Sequence, residues 1–280
     1  MILIADSGST KTEWCLCGRH ETSVKVYTKG INPFYQSEKE ISESIGTELM
    51  SQLGNEDISH IYFYGAGCAF PDKNKQIEAA LKTWFPNAVC EVKSDLYGAC
   101  RGLLGNSPGI ACILGTGSNS CYYDGKEIIS NISPLGFILG DEGSGAHLGK
   151  KMVAEFLKNQ LPEDLKSKFL EEFQTSPGDI LDHVYRQPFP NRYLAGLSRF
   201  LINHIDEPEC YDLVHGCFRE FFERNVMQYD FSDELPVNFV GSIAYHYREI
   251  LERVASEFGL WIEKVDKNPI DGLVKYHTND

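Results

Sequence analysis

No apolar run in this chain reaches the ~18–20 residues that a membrane-spanning helix needs. The N-terminal MILIADSG has neither a basic start nor a long apolar stretch, so no export leader is expected. Positive charge is scarce: 26 Lys and Arg stand against 40 Asp and Glu, a formal net charge of −14. Such a chain repels phosphate backbones and anionic lipid unless it carries a local basic stripe. Its basic clusters are short, such as Lys73 with Lys75 and Lys166 with Lys168, and read as solvated helix faces. Neither nucleic acid nor membrane is therefore expected as a partner. No Cys-x-x-Cys pair occurs among the nine cysteines, and several of them (Cys15, Cys17, Cys112, Cys121) lie in apolar strand-like segments. Reduced, buried thiols and a cytoplasmic location follow, and a zinc or iron–sulfur site finds no support in the spacing. The Walker pattern G-x-x-x-x-G-K-[ST] is absent, as is G-x-G-x-x-G between a strand and a helix. His20, His60, His147 and His277 have no metal spacing, and no Ser–His–Asp grouping can be argued.

What is present suits a soluble globular protein. Apolar residues make up 42% of the 280, enough for substantial cores in one or two domains. Met1 to Ala5 reads as a strand, followed by the loop Asp6-Ser7-Gly8-Ser9-Thr10 and strands over 11–17 and 24–28. Helices are predicted over 37–53, 75–84 and 95–104, with strands over 61–64 and 88–92 between them. A meander followed by alternating helices and strands predicts a mixed sheet with helices on its faces. The opening then recurs: a strand over 109–114, the loop Gly115-Thr116-Gly117-Ser118, and strands over 119–123 and 126–132. Aligning Ile4-Ala5-Asp6-Ser7-Gly8-Ser9 with Ile113-Leu114-Gly115-Thr116-Gly117-Ser118 matches strand to strand and loop to loop, so a duplicated domain is expected. Residues 162–229 are helical in pattern and broken at prolines. A strand over 237–240, a long helix over 243–258, a strand over 260–265 and a closing helix over 269–276 complete the chain. The best domain boundary lies near residues 105–108.

Several of these loops have the composition of ligand sites, and each also has a plainer reading. Asp6 to Thr12 is either a Ser/Gly hairpin turn or a phosphate cradle. In the second case Gly8 allows φ > 0 and close backbone approach, Ser7, Ser9 and Thr10 donate, Lys11 adds charge, and Asp6 holds hydrated Mg²⁺. Gly115 to Ser120 is a second such cradle, and two matched cradles favour a ligand with several phosphates. Gly241-Ser242 is either a strand–helix turn or a helix N-terminus set against an anion or a nucleoside face. Asp95, just past a strand, is either an N-cap or a general base aimed at a substrate hydroxyl. Asp141 and Glu142 in a Gly-rich loop are either caps or acceptors for sugar hydroxyls, and Asn32 is either a turn residue or a sugar partner.

Taken in order, ADSGSTKTEW, GINPF, SDLYGA, ILGTGSNS, GDEGSG and VGSIA resemble the N-acetylglucosamine kinase branch grouped with the BadF/BadG/BcrA/BcrD ATPases. That branch lies in the superfamily of sugar kinases, actin and heat-shock ATPases. The motifs run from Asp6 to about Ala244, nearly the whole chain. The resemblance implies an α/β protein of two ribonuclease H-like lobes, each a mixed five-stranded sheet with helices on both faces, and a nucleotide cleft that closes over the substrate. It divides the chain into an N-terminal lobe (1–106), a C-terminal lobe with a helical insertion (107–268) and a closing segment (269–280) that packs back on the first lobe. It implies phosphorylation of an amino sugar, N-acetylglucosamine above all, at its 6-hydroxyl, with ATP and Mg²⁺ and in a homodimer. Carried over by position, Thr10 and Thr116 contact phosphates within the loops Ser7–Lys11 and Gly115–Ser118, and Asp6 serves the metal. Gly241 and Ser242 lie by the adenosine. Asn32, Gly136 and Asp141 bind the sugar, and Asp95 deprotonates its hydroxyl.

One departure bears on the acceptor. A Gly-Trp pair precedes the Gly-Asp-Glu-Gly loop in the mammalian pattern, whereas Pro134-Leu135 stands here, so the wall is aliphatic or is supplied by Phe137. N-acetylmuramic acid, with its lactyl group, is thus a second candidate. Two other readings are an activator ATPase, which needs cysteines for a shared cluster, and a non-catalytic sugar sensor. The latter often carries a helix-turn-helix extension, and this chain opens directly on its first strand.

Overall fold

The first strand is buried on both faces, with Leu3 and Ala5 packed in the core on one side of the sheet and Ile4 in the cluster on the other. β1 (Ile2–Ser7), β2 (Lys11–Cys17) and β3 (Val24–Lys29) form an antiparallel meander, with Ile2 opposite Cys17 and Ser7 opposite Thr12. α1 (Glu38–Ser44) starts in a capping box between Ser37 and Glu40. The chain continues through a π-turn (Ile45–Leu49) into α2 (Met50–Leu53). β4 (His60–Gly65) joins β1 in parallel. α3 (Pro71–Trp84), β5 (Val89–Ser94), which is parallel to β4, and α4 (Asp95–Leu104) complete this part.

The helix expected over 37–53 is thus interrupted. At the π-turn the Trp84 indole packs against Gly46 and donates from Nε1 to the Ser42 carbonyl at 2.9 Å. α3 begins four residues before its expected start because Pro71, whose fixed φ suits the first turn, opens it.

The second sheet is built from β6 (Gly109–Leu114), β7 (Ser118–Tyr123) and β8 (Ile128–Ile132). α5 (Gly136–Leu139), α6 (Gly145–Leu157), α7 (Glu163–Phe173), α8 (Pro177–Tyr185), α9 (Pro190–Leu197), α10 (Arg199–Asn203) and α11 (Pro208–Arg224) follow. β9 (Val237–Val240), α12 (Ser242–His246), α13 (Arg248–Glu257) and β10 (Ile262–Asp266) close it. The helix expected over 243–258 is two helices. Their junction, Tyr247, is buried and its hydroxyl donates to the Ser198 carbonyl at 3.2 Å.

The two sheets, ordered β3-β2-β1-β4-β5 and β8-β7-β6-β9-β10, share one pattern. In each the first strand lies antiparallel to the second and parallel to the fourth. This is the architecture that the repeated strand–loop–strand opening predicts.

The computed structural model describes residues 1–8, 10–18, 24–54, 56–230 and 234–278. They form two units, Met1–Ser107 with Asn268–Asp280, and Pro108–Lys267. The last helix, α14 (Ile270–Thr278), belongs to the first unit, where Ile270 and Leu273 pack with Ile4, Cys15, Cys17 and Tyr64. Gly272 of α14 lies so close to the Gly102 carbonyl of α4 that it leaves no room for a Cβ, and a Cβ on Gly102 would meet the Pro269 carbonyl at 2.8 Å. Lys25 pairs with Asp271 at 2.6 Å, and the Tyr64 hydroxyl lies 2.7 Å from His277 Nε2. No helix among the described residues is long and apolar enough to cross a membrane.

Candidate functional site

In the first unit the strand ends gather carboxylates. Asp6, the penultimate residue of β1, is half-buried and lies opposite Glu13 of β2. Asp95 opens α4 just beyond β5 and is also half-buried. The N-cap of that helix is Ser94, whose hydroxyl accepts from the Tyr97 N–H, so capping does not account for Asp95. Its Oδ1 accepts from its neighbour's Leu96 N–H at 2.9 Å.

Burial above all, then the neighbouring Asp95 and Glu13, push the Asp6 carboxyl up to about 7 against the opposing charge of Lys11. Asp95 is also raised, chiefly by burial, with the Leu96 N–H acting the other way. Glu13 is 2% exposed, with Oε1 at 3.4 Å from Lys25 Nζ and within 3.3 Å of the Tyr27 hydroxyl, which donates to it. Its Oε2 is buried and has no hydrogen-bond partner among the described residues. Mutually repelling carboxylates and an orphaned acceptor fit a neighbouring hydrated Mg²⁺, with Asp6 as the group to hold it.

The loop after β1 divides its labour. Ser7 is fully buried: its hydroxyl lies 2.8 Å from Thr12 Oγ1, donates to the Ile31 carbonyl and accepts the Ile31 N–H, both at 3.0 Å. That hydroxyl braces the loop from behind and does not reach outward. Gly8 does not use the positive φ open to it, and its N–H closes the turn on the Lys11 carbonyl at 3.0 Å. Thr10 is exposed, and its carbonyl accepts from Gly30. Lys11 is exposed, with Nζ 5.2 Å from the Tyr27 ring centre. Ser9 lies outside the described residues. Asn32 Oδ1 accepts from the Phe34 N–H at 2.9 Å, while its Nδ2 has no partner among the described residues.

In the second unit the equivalent loop is docked on a helix. The Gly115 and Thr116 carbonyls accept from the Gly145 and Ala146 N–H groups at 2.8 and 3.0 Å, and so cap the start of α6. Asp141, 9% exposed, accepts the Ser118 N–H at 3.3 Å. A Cβ on Gly117 would stand 3.0 Å from Asp141 Oδ2, so this glycine makes room for the carboxylate. Asp141 is itself left-handed, at φ 54°, and its N–H closes the segment on the Pro134 carbonyl at 2.9 Å. Burial raises its carboxyl to about 6, the Ser118 N–H opposes this, and Glu142 adds to it.

Gly136 opens α5 at φ 75°, after Leu135 at φ 59°. Gly241, at φ 127°, lies so close to the Leu114 carbonyl that no side chain fits. Ser242 is exposed at the start of α12, which has only five residues. The long helix N-terminus expected there is a short turn, and what Gly241 supplies is close backbone approach.

Sequence reasoning passed over Glu13, His147 and the working state of Glu142. Glu142 is buried and pairs with Arg224 at 2.7 Å. His147 Nδ1 accepts the Gly143 N–H at 3.2 Å. The signal available for Glu142 was its place beside Asp141; for His147, its place three residues into a helix capped by Ser144.

No protein-family model matches the chain. A crystal structure from Porphyromonas gingivalis, provisionally assigned as an N-acetylglucosamine kinase, is 48% identical and superposes with a TM-score of 0.97, over 100% of this chain and 99% of that one. A second, from Chromobacterium violaceum with the same provisional assignment, is 19% identical with a TM-score of 0.77 over 98% of each chain, and shares the fold. The N-acetylmuramic acid/N-acetylglucosamine kinase of Clostridium acetobutylicum is 28% identical over 206 residues, 69% of this chain and 67% of that protein. At 48% identity over its whole length, the chain belongs to the N-acetylglucosamine kinase-like family of sugar kinases.

Proposed function

We propose that this chain transfers the γ-phosphoryl group of ATP to the 6-hydroxyl of an amino sugar, N-acetylglucosamine first among them. The observation that carries the reading is Asp95: a half-buried carboxylate at a strand–helix junction, released from capping by Ser94 and raised toward the working pH. A base is most effective when its pKa lies near the operating pH, and Asp95 accepts the proton as the hydroxyl attacks. The loops at Ser7–Lys11 and Gly115–Ser118 hold phosphates, with Thr10 and Thr116 as donors, and Gly241 and Ser242 flank the adenosine. Asn32, Gly136 and Asp141 receive the sugar. Asp6 holds Mg²⁺, which neutralises phosphate charge in such reactions. Most of the rate then comes from positioning and charge stabilisation.

The test is Asp95→Asn, assayed by ADP release over hexoses and N-acetylated sugars. A loss of ~10²–10⁴-fold in kcat is expected from removal of a general base. Survival within about tenfold removes Asp95 from that role, since such catalysis contributes ~10²-fold or more.

N-acetylmuramic acid is a second acceptor. The Phe137 ring packs into the core of the second unit, while Leu135 is 58% exposed, so the wall left by Pro134-Leu135 is aliphatic and open. The Clostridium relative is named for both sugars. An activator ATPase is disfavoured because such a role needs cysteines for a cluster shared between subunits, and all nine cysteines are buried or half-buried. A cytoplasmic homodimer belongs to the same reading.

A further inference from the structure

We propose that His147 is a positioning residue for the acid loop: its Nδ1 accepts the Gly143 N–H and thereby holds the left-handed turn from which Asp141 presents its carboxylate. This rests on the reading of Asp141 as a sugar-binding group.

The loop from Asp141 to Ser144 is costly to form. Asp141 and Gly143 are both left-handed, at φ 54° and 70°. Aspartate adopts that region seldom, and such a conformation persists only where the surroundings enforce it. The enforcement comes largely from α11. Glu142 is tied to Arg224 at 2.7 Å. Gly143 lies on Phe221, whose Cβ would stand 3.0 Å from a Cβ at this position. The Gly143 N–H points instead at His147 Nδ1, 3.2 Å away.

A ring nitrogen that accepts from an amide carries no proton, so the neutral ring has its proton on Nε2. Nε2 faces Glu220 Oε2 of α11 at 3.3 Å, and the other Glu220 oxygen is held by Lys151 Nζ at 2.7 Å. Glu220 thus selects the tautomer that leaves Nδ1 free to accept. Burial keeps the ring neutral, pulling its pKa down to about 4. The helical insertion, which carries none of the proposed chemistry, in this way sets the backbone beneath one of the sugar ligands.

The shape of the amide side chains gives a clean test. Asparagine at 147 places an oxygen near the position of Nδ1, whereas glutamine reaches the position of Nε2. With N-acetylglucosamine and MgATP, His147→Asn is expected to keep the sugar KM within about threefold. His147→Gln is expected to raise it by about tenfold or more, in the range that outer-shell substitutions show. The ATP KM is expected to stay unchanged in both. Amide hydrogen exchange over 140–145 gives a readout independent of substrate: the Gly143 N–H loses protection in His147→Gln and keeps it in His147→Asn. Equal behaviour of the two variants overturns the proposal. Should His147→Gln fail to fold, the exposed side of the contact serves instead. Glu220→Gln retains an acceptor for Nε2–H and leaves sugar KM and exchange unchanged, while Glu220→Lys forces the other tautomer and raises both. Wild-type behaviour of Glu220→Lys also overturns the proposal. Asp141→Asn separates the two claims: an unchanged sugar KM there defeats the reading of Asp141, whatever His147 does.

Discussion

The hydroxyl of Ser94 caps α4 by accepting the Tyr97 N–H, whereas the Asp95 carboxyl, on the next residue, accepts the Leu96 N–H. Two adjacent polar residues therefore do separable jobs. Ser94→Ala should lower Tm while leaving kcat within a few-fold, because a lost N-cap costs ~0.5–2 kcal/mol. Asp95→Asn should hold or raise Tm, since burial disfavours its charge, and should lower kcat by ~10²–10⁴-fold. Thermal melts beside initial rates check both; a Ser94→Ala enzyme as inactive as Asp95→Asn would contradict the separation.

Asp6 should make the ligand-free protein sensitive to pH. Its carboxyl is raised from 3.8 in the unfolded chain to about 7 in the folded one. Folding therefore favours the protonated form, and the stability that it supplies is intact below about pH 4 and lost as the pH rises through about 7. Asp6→Asn should accordingly melt higher than the parent at pH 8 and equally at pH 4. The gap should be about 3 °C or more, the shift that ~1 kcal/mol gives in a domain of this size. MgADP should narrow the gap by stabilising the parent. A parent that melts higher than Asp6→Asn at pH 8 without ligand would rule this out.

Asp141 sets a pH dependence of opposite sense on sugar binding. As a carboxylate it only accepts hydrogen bonds; protonated, it loses part of that capacity. With its carboxyl at about 6, the sugar KM should rise as the pH falls below 6, approaching tenfold per unit. Asp141→Asn should have a high sugar KM that no longer varies over that range. Sugar KM measured from pH 5 to 8 on both proteins decides the matter.

Ser7 and Thr10 look alike in the sequence and should respond differently. Ser7→Ala leaves the Ile31 N–H and Thr12 hydroxyl without their buried partner and should destabilise the first unit by ~1–3 kcal/mol. Thr10→Ala touches an exposed side chain, so Tm should hold while the ATP KM rises or kcat falls. Denaturant melts and ATP kinetics on the pair separate the brace from the donor.

Gly241 should tolerate no substitution. Alanine there must both adopt φ 127° and displace the Leu114 carbonyl at the end of β6. A loss of kcat/KM for ATP of tenfold or more is expected, with the sugar KM changed less. Normal ATP kinetics in Gly241→Ala would show that the backbone gives way at that point.

Much of the architecture was legible because local pattern and tertiary demand agree. β2, α4, β6 and β9 have the bounds that apolar alternation, the residue after a strand and the flanking glycines predict. The errors fall where a distant side chain intervenes. The π-turn coincides with Trp84 packed on Gly46, and the break at Tyr247 with a hydroxyl reaching Ser198, some fifty residues away. Motif reasoning likewise found the loops but not the direction in which each side chain points. Ser7 faces inward because Thr12 and Ile31 meet it there, and Glu13 escaped notice because its importance lies in being opposite Asp6 across a strand pair. Periodicity carries no information on either.

The crossing of Gly102 and Gly272 has a consequence for biosynthesis. The face of the first sheet formed by Ile4, Cys15, Cys17 and Tyr64 is sealed by a helix made after all of residues 108–267. On the ribosome the first unit must wait, with an apolar face uncovered, while the second is synthesised and can complete its own core. A nascent chain halted before residue 268 should therefore be the form that chaperones hold, and release of the last helix should be the event that ends their hold.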